Sequence, residues 1–217
     1  MSSKRRAIYG AATIALISPL AAPQLLAFPY TSRIGAHRIY SEARISERLQ
    51  GIVADADRLA SRSPIAIEES QPIFLTSGGW RWTWLALLSR SAFAISRGPF
   101  ETIVVNRSDQ AANLVYRPAA VGSRRSLTGT LAHEMTHGAI RAHFKPFADW
   151  RYSAWLREGY CDYVAGGGSL TDAEAATLAR TNPAHAALVY WRGRKRVEAE
   201  LQRNGGSVDR LFAGAGE

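Results

Sequence analysis

The residues with the greatest chemical potential lie in two short stretches. His133 and His137, two of the five histidines in the 217-residue chain, stand four apart in His133-Glu134-Met135-Thr136-His137. On a helix, residues four apart share a face, so both imidazoles can reach one metal ion while Glu134, one step round, leans over it. Glu158, in Trp155-Leu156-Arg157-Glu158-Gly159-Tyr160, is the natural third donor. Two imidazoles and a carboxylate are the protein ligands of a catalytic zinc whose fourth position stays open for water. The stretch from Gly138 to Arg157 is long enough for the chain to turn back and deliver that carboxylate from a separate helix. Asp162 follows Glu158 by one helical turn and shares its face, which places a supporting carboxylate in the same cavity. Zinc lowers the pKa of its water to about 7, so Glu134 can take that proton, aim the hydroxide at a carbonyl and hand the proton to a leaving amine. The expected reaction is hydrolysis of a peptide bond without a covalent intermediate, and the same chemistry would serve a non-peptide amide.

Two helices must carry these groups. The first is expected from Ser126 or Thr128, either of which can accept a free backbone N–H as a cap, to about His143, ahead of Lys145-Pro146. Leu127, Leu131, Met135 and Ala139 fall on its core face. Arg124 and Arg125 precede the positive end of its dipole and are expected to point into solvent. The second helix spans Trp155 to Ala165 and stops at Gly166-Gly167-Gly168. Thr171 and Glu174 form a capping box for Asp172 to Arg180. Asn182-Pro183 breaks the chain, Ala184 to Gln202 forms a last long helix, and Val208 to Phe212 a short tail. Arg192, Arg194, Lys195 and Arg196 on that long helix read as a solvated face opposite a buried stripe of Val189, Val197 and Leu201.

Upstream, Ala36 to Tyr40 reads as a short strand and Ile45 to Ala60 as an amphipathic scaffold helix. Pro72 to Thr76 reads as a buried strand, with a turn at Gly78-Gly79. Trp80, Trp84, Leu87 and Leu88 fall at helical spacing and are expected to be core. Thr102 to Val105 is a β-branched strand, and Leu114 to Tyr116 another. The pattern is α+β: a small mixed sheet followed by the helices of the zinc site.

Composition sets the outer bounds. At 47% hydrophobic, the chain fits one domain, residues 31–217, behind an N-terminal extension, residues 1–30. Lys4, Arg5 and Arg6 precede an uncharged, mostly apolar run from Ala7 to Pro29, which reads as a membrane-directed segment, either signal anchor or signal peptide. Ala21 and Ala22 are followed directly by Pro23, a poor residue after a cut, which favours an uncleaved anchor at residues 7–29. The positive flank would keep the N-terminus cytoplasmic and place the domain outside, in a periplasm or on a cell surface. The net charge of +9 comes mostly from scattered arginines with no nucleic-acid motif, so no nucleic-acid partner is expected. The single cysteine, Cys161, excludes an internal disulfide.

His133-Glu134-Met135-Thr136-His137 together with the run from Trp155 to Tyr163 resembles the gluzincin zinc metallopeptidases, which include thermolysin and the membrane aminopeptidases. The second stretch is similar to the clan's Trp-Leu-x-Glu-Gly-x-Ala-x-Tyr pattern and also fits its Glu-x-x-x-Asp pattern. The resemblance implies a zincin-like domain with Zn2+ on His133, His137 and Glu158, Glu134 as general base, and Asp162 orienting His133. Cys161 stands where the clan often has alanine or serine; a small buried residue is expected there, with the thiol as a potential competing ligand. The clan's further Tyr or His, which stabilises the oxyanion, has candidates in His185, Tyr190 and Tyr160. The first two rank ahead because the last helix must pack near the site. In such peptidases an extended substrate pairs with an open strand edge before the zinc helix, and Thr102 to Asn106 is the candidate. The aminopeptidases' Gly-x-Met-Glu-Asn motif is absent. The resemblance therefore implies a membrane-anchored zinc endopeptidase acting on peptides or proteins. The competing expectation is a catalytically inactive gluzincin-like interaction module at the membrane. Glu134 argues for the enzyme, since a structural zinc takes four protein ligands and needs no base.

Overall fold

The computed structural model describes residues 18–67, 70–97, 101–145 and 147–214. Residues 7–17 of the expected membrane-directed segment lie outside the described residues. Among the described residues no helix is long and apolar enough to cross a membrane. The described end of that segment holds a 3-10 helix, Pro23–Leu26, followed by Phe28, whose ring is buried.

Strands β1 (Tyr30–Ile34) and β2 (His37–Ser41) form an antiparallel hairpin. Helix α1 (Arg48–Ala60) carries the chain to β3 (Ile73–Thr76), parallel to β2. The short α2 (Trp80–Ala86) leads to β4 (Ala94–Arg97) and the long β5 (Thr102–Asp109). Strands β6 (Leu114–Tyr116) and β7 (Arg124–Ser126) complete a seven-stranded mixed sheet of order β1-β2-β3-β5-β6-β7, with β4 beside the first half of β5. Six helices follow: α3 (Leu127–Phe144), α4 (Ala148–Arg151), α5 (Ala154–Val164), α6 (Asp172–Thr181), α7 (Ala187–Arg203) and α8 (Val208–Ala213).

The central strands are apolar on both faces because both faces are covered. Ile73, Leu75, Ile103 and Val105 point into a core shared with Leu49, Ile52 and Val53 of α1 and Leu127, Leu131 and Met135 of α3. Phe74 and Val104, between them in sequence, point the other way, against Phe28 and Trp82. A third core joins α3, α5, α7 and α8 through Ile140, Leu156, Tyr160, Val197 and Phe212. Helix α3 thus lies between the sheet layer and the helical layer, and its residues from Leu127 to Ile140 are buried, apart from the partly exposed Thr128.

Three expectations about faces are corrected. Thr102 to Asn106 is no open edge: β3 pairs with one side of it and β4 with the other, and all five residues are buried. A run that is both β-branched and buried throughout is the signature of a central strand. On α2 the inward residues are Trp82, Leu85 and Ala86, whereas Trp80 is 60% exposed and Leu88 fully exposed. Nearly every position from 80 to 88 is apolar, so periodicity alone offers two faces and packing chooses between them. Val189 is exposed as well, although Val197 and Leu201 are buried as expected.

Candidate metal centre

Helix α3 starts where the Ser126 hydroxyl accepts a hydrogen bond from Gly129 N at 3.0 Å. That start sets the phase that turns His133, Glu134 and His137 toward one cavity of about 380 Å³. The two imidazole rings meet edge to face, with centroids 4.9 Å apart. Helix α5 supplies the carboxylates from across the cavity. It is pressed in by α7 at Gly159 and Gly193, where a methyl group on Gly159 would fall 2.5 Å from the Gly193 backbone. The glycine after Glu158 is therefore a contact requirement: no side chain fits between the two helices.

Glu158 reaches both histidines, with Oε2 3.2 Å from His133 Nε2 and Oε1 3.5 Å from His137 Nε2. The two contacts are made by different oxygens of one carboxylate, so Glu158 offers an oxygen donor within reach of both imidazoles. The other nitrogen of His133, Nδ1, donates to Asp162 Oδ1 at 2.8 Å, the carboxylate support that orients a ligating imidazole. Burial disfavours the Glu158 carboxylate, but His137 and His133 outweigh it and hold its pKa well below the usual range. Burial and Arg125 push the His133 pKa down, while Asp162 and Glu158 more than reverse this and bring it up to about 9. Burial likewise disfavours the Asp162 carboxylate, and Arg125 with His133 keeps it ionised.

Arg125 is the functional residue that sequence reasoning missed. Rather than pointing into solvent, its guanidinium is buried at the site: Nη1 lies 2.9 Å from Asp162 Oδ1 and Nη2 donates to Gly167 O at 2.8 Å. The Gly166-Gly167-Gly168 run thus does more than end α5. Gly168 passes so close to Asp162 that an added methyl would sit 2.5 Å from Oδ2, and Gly167 presents its carbonyl to Arg125. Two consecutive arginines before a helix cap carry no local signal of this role, because the partner comes from a distant turn.

Cys161 is also buried here, and its sulfur forms with nitrogens of His133 and His137 a group of donor atoms within 4.8 Å of one another. Burial, and then Glu158, Glu134 and Asp162, push its thiol well above the ordinary cysteine pKa. Glu158 and Cys161 thus both stand beside the two imidazoles, the carboxylate reaching each ring with one oxygen and the sulfur completing a compact group of donors.

The structure brings together His133, Glu134, His137, Glu158, Asp162 and Tyr190 around the cavity. Burial first, and then Glu158, raise the Tyr190 pKa, so its phenol stays protonated. His185 does not line the cavity; its Nδ1 accepts from Ala187 N at 3.1 Å at the start of α7. Tyr160 lies in the helical core with its hydroxyl 2.7 Å from Ser63 Oγ. On the opposite wall Ala94, Ile95 and Ser96 of β4 line the cavity. Among the described residues β4 pairs with β5 alone, so the open strand edge belongs to this strand and not to Thr102 to Asn106.

No protein-family model matches the chain, and no curated protein matches it either.

Proposed function

We propose that this chain is a zinc-dependent endopeptidase of the gluzincin type with a zincin-like catalytic domain. In this reading it acts on peptide or protein substrates outside the cytoplasm, held at a membrane by the part of the N-terminal apolar run that precedes the folded stretch Pro23–Phe28. The observation that carries it is the convergence of the Glu158 carboxylate on both Nε2 atoms, at 3.2 and 3.5 Å, in a cavity that Glu134 also lines. His133, His137 and Glu158 would hold the metal. Zinc, when bound, supplies Lewis acidity that polarises a carbonyl and brings the pKa of a water to about 7. Glu134, which lines the same cavity, would serve as the base that takes a proton from a water and returns it to the leaving amine. Asp162 and Arg125 keep the His133 ring in place and its Nδ1 occupied, so that Nε2 faces Glu158 and would be free to bind the metal. Tyr190 donates its phenolic proton as a hydrogen bond to the oxyanion that develops on the scissile carbonyl. The outer edge of β4 offers backbone partners to an extended substrate.

Metal analysis of the purified chain together with cleavage of a peptide library tests this function. The expected result is stoichiometric zinc and cleavage that disappears in Glu134→Gln. Cleavage undiminished in that variant would sink the mechanism. A second reading, with Cys161 in place of Glu158 as third ligand, rests on the proximity of its sulfur to both histidines. Zinc content after Glu158→Ala and after Cys161→Ala separates the two.

A further inference from the structure

Helix α2 presents apolar side chains on two sides, and only the inner side has a partner in the fold. Trp82, Leu85 and Ala86 fill the core beneath the sheet, while Trp80, Leu87 and Leu88 are exposed. Trp80 at the start of the helix and Leu87 and Leu88 just past its end are large apolar side chains left in the open, and such a cluster marks a surface that is covered in use.

The covering medium is indicated by what this helix is tied to. Arg81 donates from Nε to Leu26 O at 2.9 Å and from Nη2 to Ala27 O at 3.0 Å, and its guanidinium lies over the rings of both Trp80 and Phe28. The outer face of α2 therefore adjoins the end of the apolar N-terminal run, next to the exposed Leu25. Residues 1–41 and 71–100 contain no aspartate or glutamate; Arg81 is paired with Glu42 at 3.0 Å, and Arg90 is the exposed cation of the second stretch. Exposed Trp and Leu beside an exposed arginine, at the foot of an apolar run, suit the headgroup region of an anionic bilayer.

We infer that Trp80, Leu87 and Leu88, with Leu25, form a docking face that lies in the interface of an anionic lipid bilayer at the foot of the N-terminal segment. This rests on the membrane reading of residues 7–29 and adds that the folded domain itself contacts lipid, in one fixed orientation. The same segment of chain that carries Leu88 goes on to Ser89, Ala92 and Phe93, which line the metal cavity, so the docked orientation would bring one rim of the site close to the membrane surface.

The test uses the full chain in phosphatidylcholine–phosphatidylglycerol vesicles, with Trp80→Cys, Leu88→Cys and, as control, Gln202→Cys on the exposed side of α7, each carrying a small fluorophore. Cys161 is buried with its thiol protonated, so the introduced cysteines take the label. Leu88 is fully exposed, and its replacement leaves the core intact. A nitroxide on the lipid acyl chain is expected to remove about half of the fluorescence at positions 80 and 88 and little at 202, with aqueous iodide giving the reverse order. Flotation with vesicles but iodide quenching at 88 equal to that at 202 overturns the docking face and leaves the membrane segment standing. Shielding of 80 and 88 from both quenchers means that protein covers the face, either residues 1–17 or a second copy, and also overturns it. Failure of the chain to float overturns the membrane reading and the docking face with it.

Discussion

Two histidine–aspartate pairs with a buried imidazole lie at α3, and they differ in what the second ring nitrogen does. On one side His133 Nδ1 meets Asp162 at 2.8 Å, and on the other His37 Nε2 meets Asp57 at 2.9 Å. The His37 pair borders its own cavity of about 340 Å³, lined in part by Met135, Thr136 and Ala139 from the back of α3. By distance and burial of the histidine the pairs are nearly equivalent. His37, however, has its Nδ1 3.0 Å from Gln71 O and 3.2 Å from Gln71 N, so both of its nitrogens are engaged within the fold. His133 directs Nε2 at Glu158, beside His137, and its aspartate is shared with a buried arginine. A carboxylate partner is common to both histidines; only at His133 does the second nitrogen converge with other potential donors.

Glu134→Gln cuts deepest into this contrast, with hydrolysis expected to fall by about 10²- to 10⁴-fold while zinc stoichiometry is unchanged. Next, Glu158→Ala should lose the metal and Cys161→Ala should keep it, read by metal analysis after dialysis; the opposite pattern would assign the third ligand to Cys161. Arg125→Met removes the feature that most separates the two pairs. It is expected to weaken zinc binding by about 10- to 100-fold in a chelator competition, and unchanged affinity would reduce Arg125 to a structural role. Gly193→Ala forces α7 away from α5 and should cost about 1–3 kcal/mol in urea unfolding, since the added methyl meets the Trp155 carbonyl at 2.7 Å.

His37→Gln should leave zinc content and turnover untouched. Its effect is on pH dependence: burial lowers the His37 pKa, but Asp57 and the Gln71 carbonyl outweigh burial and raise it above the ordinary histidine value. A raised folded-state pKa contributes stability in full below the unfolded value of about 6.5, and that contribution is lost as pH rises through the folded value. The stability gap between wild type and His37→Gln should therefore be wider at about pH 6 than at about pH 9 in urea titrations. A gap independent of pH would mean that His37 holds the strands together as a neutral ring.

Local spacing made much of the candidate site readable. The i, i+4 relation placed His133 and His137 on one face and Leu127, Leu131, Met135 and Ala139 on the others, all of them buried. The Ser126 cap and the Thr171–Glu174 capping box were equally local, because each closes within one turn. Glu158 and Asp162 shared a face for the same reason. The strands at Ile73–Thr76 and Leu114–Tyr116 announced themselves by composition, whereas the short β4 and β7 did not.

Sequence alone thus determined relations within a turn or two of chain, where bond geometry couples neighbours: the histidine pair, the carboxylate pair and the caps. Tertiary structure alone decided which distant groups met them. It buried Arg125 against Asp162, chose Trp82 over Trp80 for the core, made β4 and not β5 the open edge, brought Tyr190 to the cavity and left His185 at a helix start. Each of those outcomes depends on how layers pack and on which face has a partner, and no periodicity within one segment encodes its partner.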